Sequence, residues 1–125
     1  MGNKTQKKVA VIDDDKPTVS LIRKHLEERN YLVKTAYDGK DGLNLIRREL
    51  PDIIILDLRM PEMDGRDVLI EIKKTDDTKK IPVIVFTSEQ EQFEEKIIMN
   101  LGAASYMTKP YEKYHLLKAI DDILS

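Results

Sequence analysis

The 125-residue chain is long enough for one domain with a real core and too short for a second. Lys and Arg total 21 against 23 Asp and Glu, a formal charge of -2 with the signs mixed, so there is no electrostatic footprint for nucleic acid or a membrane surface. Cysteine is absent, which excludes disulfides, thiolate catalysis and cysteine-based zinc sites, and no apolar run approaches the ~20 residues of a membrane span.

The polar start from Met1 to Lys8 lacks the apolar core of a signal peptide, and the chain is read as cytoplasmic. Residues 1–7 read as a loose segment and 8–125 as one domain. Val9-Ala10-Val11-Ile12 predicts a first strand that stops at Asp13-Asp14-Asp15. Pro17 suits a first helical turn, and Val19, Ile22 and Leu26 recur at helical spacing until Asn30. Tyr31 to Ala36 is rich in strand formers, and Asp38-Gly39 breaks it before a helix carrying Leu43, Ile46 and Leu50, which Pro51 ends.

Ile53-Ile54-Ile55-Leu56 reads as a strand buried on both faces, the habit of a parallel sheet covered by helices, and it ends on Asp57. Pro61 and Gly65 force a loop before a helix from about Gly65 to Lys74 with Val68 and Ile72 inward. Pro82 opens a strand completed by Val83-Ile84-Val85-Phe86, before Thr87-Ser88. A helix with Phe93, Ile97 and Leu101 inward closes at Gly102, and a short strand from Ala104 to Met107 leads to Thr108-Lys109-Pro110. The last helix carries Leu116, Leu117, Ile120, Ile123 and Leu124. Alternating strands and helices, five of each, predict an α/β flavodoxin-like doubly wound (βα)5 fold with a parallel sheet in order 2-1-3-4-5.

In that order the first and third strands are neighbours, which brings Asp13 and Asp14 beside Asp57 at the sheet edge where open α/β sheets bind ligands. Carboxylates sharing a cleft repel one another, and a cation stabilises them as anions. Mg²⁺ suits an all-oxygen donor set, whereas zinc favours His or Cys, and His25 and His115 fall in helices. Taken alone, Asp15 or Asp38 reads as a solvated or helix-capping group. Thr87 and Lys109 follow the fourth and fifth strands at the same edge, adding a hydroxyl and a cation. The set suits a phosphoryl group on Asp57, with the carboxylate as nucleophile, Mg²⁺ and Lys109 offsetting charge and Thr87 donating to an oxygen.

The Asp13-Asp14 pair, the Leu56–Gly65 stretch LDLRMPEMDG, Thr87-Ser88 and Tyr106-Met107-Thr108-Lys109-Pro110 together resemble the receiver domain of bacterial response regulators, from Lys8 to Leu124. The resemblance implies that Asp57 accepts a phosphoryl group from a phosphohistidine of a histidine kinase or histidine phosphotransferase. It implies Mg²⁺ held directly by Asp14 and Asp57, through water by Asp13, and by the backbone carbonyl of Arg59. It also implies a cis Lys109–Pro110 bond, and a switch in which Thr87 moves toward the phosphoryl group and Tyr106 turns inward. That switch would alter the face of the fourth helix, fifth strand and fifth helix for a downstream protein target.

Arg59 and Glu89, two residues after Asp57 and Thr87, are expected to pair over the site and shield the acyl phosphate, an exposed pair worth ~0.2–1 kcal/mol. Ser88 leaves room for a donor histidine. Ala104-Ser105 and Ala119 lack the charged groups that form the dimer face of winged-helix regulators, which favours a single-domain regulator, monomeric or weakly dimeric, although a piece of a longer protein fits as well. Thr18, Leu21 and His25 mark an expected docking face for a donor helix pair. An aspartate-nucleophile phosphatase of the haloacid dehalogenase type would need Asp where Arg59 stands. A flavodoxin or dinucleotide module would need a hydroxyl-rich or Gly-rich turn where Asp13-Asp14-Asp15 stands. The alternative that stays open is a pseudo-receiver that binds partners without phosphorylation.

Overall fold

The strands are short apolar runs between polar turns, and their burial follows. The computed structural model describes residues 6–88 and 94–125. Within them β1 (Lys8–Ile12), α1 (Lys16–Glu27), β2 (Leu32–Ala36), α2 (Gly39–Glu49), β3 (Ile53–Asp57), α3 (Gly65–Lys74), β4 (Val83–Thr87), α4 (Glu95–Asn100), β5 (Ser105–Thr108) and α5 (Lys113–Leu124) alternate along the chain. All pairings are parallel, in the order β2-β1-β3-β4-β5. This is the flavodoxin-like order expected of the sequence. Every residue of β3 and β4 is buried, as a central strand covered on both faces requires.

Side chains alternate across a strand, so each central strand feeds two cores. Ala10, Ile12, Ile54, Leu56, Val83 and Val85 pack with α2, α3 and α4, whereas Val9, Val11, Ile53, Ile55, Ile84 and Phe86 pack with α1 and α5. Asp15 caps α1 by accepting from Thr18 N, Asp38 caps α2 by accepting from Asp41 N at 2.7 Å, and Asp64 with Asp67 forms a capping box at α3. Gly65 is demanded by space: a Cβ there would stand 2.2 Å from the Asp57 carbonyl oxygen. Gly102 follows α4 at φ +106, a conformation that suits glycine.

Three local expectations are corrected. Leu50 does not face the core; it caps α2 in the left-handed conformation, φ 44, and is 50% exposed, while Leu45 is buried in its place. In α4 the inward residue is Ile98, and Ile97 is 48% exposed, because the helix starts at Glu95 and its buried stripe is one residue later than the spacing suggested. Phe93 lies outside the described residues. α1 stops at Glu27, and Asn30 turns the chain at φ 67. Among the described residues no helix is long and apolar enough to cross a membrane.

Candidate functional site

The register of β1 on β3 aligns Ile12 with Leu56, so the residues that follow, Asp13 and Asp57, emerge side by side. One carboxylate oxygen from each of Asp13, Asp14 and Asp57 lies within 4.8 Å of the others, the one such grouping of potential metal ligands among the described residues. Asp13 and Asp57 are 3% and 6% exposed, and Asp14 is exposed. Lys109, the residue after β5, sends its Nζ to Asp13 Oδ2 at 2.7 Å and Asp57 Oδ1 at 3.3 Å. Its backbone N–H donates to the Thr87 carbonyl at 2.6 Å, which fastens the loop after β5 to the end of β4. The Lys109–Pro110 peptide is cis.

Burial and then the Asp13 charge push the Asp57 carboxyl up to about 7, against the opposing pull of Lys109. Burial alone would lower Lys109, but hydrogen bonds and charges from Asp13 and Asp57 outweigh it and hold the ammonium above its ordinary value. Three carboxylates therefore face one ammonium, and negative charge is left over. A hard, oxygen-seeking cation fits that donor set, since it can take several carboxylate oxygens and complete its shell with water. Neither His25 nor His115 joins the group. His25 instead meets the Tyr111 hydroxyl through Nδ1 at 2.8 Å.

Thr87 is fully buried at the end of β4, and its Oγ1 donates to the Ser88 carbonyl at 3.4 Å. Tyr106 is half-buried in β5, level with Val85, and packs on the core under α3 and α4. Thr18 and Leu21 line a groove of about 320 Å³ with Lys109, Pro110 and Tyr111. Glu89 lies outside the described residues, and the Arg59 pairs that are described run elsewhere. Its Nη2 pairs with Glu94 Oε2, and its Nη1 lies 3.9 Å from Asp64 Oδ2. Glu94 also pairs through Oε1 with Arg66. Sequence reasoning missed Glu94 and Arg66.

A family model for the response regulator receiver domain matches residues 9–121. The chain belongs to that family. Among solved structures the receiver is similar to a response regulator receiver domain protein from Clostridium thermocellum, with 32% identity, a TM-score of 0.88 and 94% of each chain covered. It is similar as well to the chemotaxis protein CheY4 of Vibrio cholerae, with 27% identity over 96% of this chain and 100% of that one and a TM-score of 0.89. The receiver domain of the sensor histidine kinase PA1611 from Pseudomonas aeruginosa PAO1, crystallised with a magnesium ion in its active-site cleft, shares the fold. Its TM-score is 0.87 and its identity 22%, over 96% of this chain and 98% of that one. Receiver domains interact with histidine kinases or phosphotransferases and generally bind Mg²⁺.

Proposed function

We propose that this receiver, taken as residues 8–125, acts in the cytoplasm by accepting a phosphoryl group on Asp57. The observation that carries the reading is the convergence of Asp13, Asp14, Asp57 and Lys109, with the ammonium 2.7 Å from one carboxylate and 3.3 Å from the acceptor. An Asp57 carboxylate oxygen attacks phosphorus, a P–O bond forms, and the P–N bond to the donor's phosphohistidine breaks with its electron pair returning to the ring. Lys109 offsets charge on the transferred group and on Asp57. Asp14, Asp57, Asp13 through water and the Arg59 carbonyl would hold Mg²⁺, which supplies positive charge for the phosphoryl oxygens and keeps the acceptor ionised.

The Thr18 and Leu21 groove beside Lys109 suits the approach of a donor helix pair, with Leu21 as its exposed apolar anchor. In the output step Thr87 donates to the phosphoryl group and Tyr106 turns inward, changing the α4, β5 and α5 face for a target protein. Arg59 and Glu89, two residues after Asp57 and Thr87 in the sequence, are the side chains proposed to shield the acyl phosphate. Substituting either by Ala is expected to change the dephosphorylation rate, measured by loss of label after the donor is removed.

Incubation with Mg²⁺ and acetyl phosphate tests the central claim. The expected result is a mass gain of one phosphoryl group, stable to acid, released by hydroxylamine and absent in Asp57→Asn. A chain that folds and gains no mass is a pseudo-receiver, and the proposal is then wrong.

A further inference from the structure

Lys109 opens a short segment, Lys109-Pro110-Tyr111, that leads from the end of β5 toward α5. Its first residue is fastened to the end of β4, since the Lys109 N–H donates to the Thr87 carbonyl. Its last residue is fastened through a side chain. The Tyr111 hydroxyl meets His25 Nδ1 of α1 at 2.8 Å, and the two rings stand edge to face with centroids 5.9 Å apart. The Tyr111 ring also packs on Phe86, with centroids 5.7 Å apart, and Phe86 lies level with Asp57 in the register of β4 on β3.

Burial lowers the pKa of His25, with the Lys113 charge adding to it against that of Glu28, and burial raises the pKa of Tyr111. Both are uncharged near pH 7, which lets the phenol donate to Nδ1 with the ring proton on Nε2. The ring alone would supply the packing on Phe86; the hydroxyl adds a directed bond to α1. That helix begins at Lys16, directly after the Asp13-Asp14-Asp15 turn, so the element that holds Tyr111 also borders the acidic cluster. Pro110 has its φ fixed by its ring, and the placement of Tyr111 therefore bears on the backbone of Lys109.

We propose that His25 and Tyr111 are positioning residues for Lys109: their hydrogen bond ties the segment to α1 and so holds the Lys109 ammonium against Asp13 and Asp57. The inference rests on the reading of Asp57 as the phosphoryl acceptor and of the carboxylates around it as the Mg²⁺ site. His25 then acts through Tyr111 rather than as a contact for a docking partner. Lys109 affects the site in two opposite ways. Its charge favours a phosphoryl group arriving on Asp57, but it repels a divalent cation held by the same carboxylates. A slackened segment therefore takes a phosphoryl group more slowly and binds Mg²⁺ more tightly, whereas general loosening of the fold weakens both.

Phosphorylation by acetyl phosphate and calorimetric Mg²⁺ titration test this on the full chain, at a pH well above the Asp57 pKa of about 7. Acetyl phosphate has no helices to dock, so a docking role for His25 leaves its rate unchanged. Tyr111→Phe is expected to slow phosphorylation about fivefold, the scale of one hydrogen bond. It is expected to tighten Mg²⁺ binding about twofold, the scale of a screened charge interaction. His25→Ala is expected to do the same, and the double variant no more than either alone. His25→Asn, whose side-chain oxygen can accept in place of Nδ1, is expected to recover most of the rate lost in His25→Ala. An unchanged rate in Tyr111→Phe, slower phosphorylation without tighter Mg²⁺ binding, or additive losses in the double variant overturn the inference. Thermal melts establish folding; if His25→Ala does not fold, Tyr111→Phe, which keeps the ring, carries the test. Phosphorylation that ignores the hydroxyl overturns this inference alone, whereas an unaltered chain that gains no phosphoryl group overturns the acceptor reading and this inference with it.

Discussion

Two clusters of charge sit on either side of the loop between Asp57 and Gly65, and they are built on opposite plans. Around Asp57, three carboxylates gather and two of them, Asp13 and Asp57, share the Lys109 ammonium, while burial and the Asp13 charge raise the Asp57 pKa to about 7. Around Glu94, two guanidiniums share one carboxylate, and both of its oxygens are paired. The first cluster is left wanting positive charge and is suited to a ligand that brings it. The second satisfies its buried member internally and is suited to holding elements together. Arg59, whose Nη1 also lies 3.9 Å from Asp64 Oδ2, belongs by its described pairs to the second cluster, although it follows Asp57 by only two residues.

The largest expected effect comes from the glycine at the start of α3. Gly65→Ala would put a Cβ 2.2 Å from the Asp57 carbonyl oxygen and 2.9 Å from Leu58 Cα, both backbone atoms that cannot move alone. We expect a loss of about 3 kcal/mol, within the overpacking range, read as a lowered urea midpoint. A smaller loss, about 2 kcal/mol, is expected of Glu94→Ala. Its arginines are left without their shared anion, and their partial exposure moderates the cost of a broken buried pair. If Glu94→Ala costs nothing, the second cluster is not structural and the two clusters do not differ in this way.

The Asp57 cluster should respond with the opposite sign. A carboxyl whose folded pKa is raised holds its proton in the native state at pH values where the unfolded chain has lost it, so its ionisation opposes folding. That cost is absent below pH 3.8, grows between 3.8 and about 7, and is complete above about 7. Asp57→Asn, measured by urea unfolding with chelator present, should therefore stabilise the chain by about 1–2 kcal/mol at pH 8 and hardly at all near pH 4. Saturating Mg²⁺ should reverse the order at pH 8, since a ligand that binds the native state stabilises it.

Legibility followed the same division. The acidic cluster could be read because Ile12 and Leu56 end apolar runs whose next residues are acidic, and sheet order then fixes their neighbourhood. Lys109 could be placed at that edge as the residue after the last short strand. Glu94 could not be read. It lies in the run EQEQFEEK from Glu89 to Lys96, where acid is the rule and nothing in the pattern separates a buried carboxylate from solvated ones. Leu50 and Ile97 were misplaced for a related reason. Apolar spacing gives a stripe but not the residue at which a helix ends or begins, and a left-handed cap or a one-residue shift rotates a side chain off the core.

Asp64 carries the smallest effect and the sharpest boundary. It accepts from Arg66 N at 3.0 Å and Asp67 N at 3.1 Å as the cap of α3, and it lies 3.9 Å from Arg59 as a loose ion pair. Asn keeps the cap and removes the charge; Ala removes both. If Asp64 serves the helix, Asp64→Ala costs about 1 kcal/mol and Asp64→Asn a few tenths, measured by chemical denaturation in low salt. Equal losses would mean that the charge matters more than the cap. Asp64 would then belong with Glu94 as a second anion restraining Arg59, and the Asn variant's loss would shrink as salt is added. The cap alone gives no such salt dependence, because its hydrogen bonds survive in Asn.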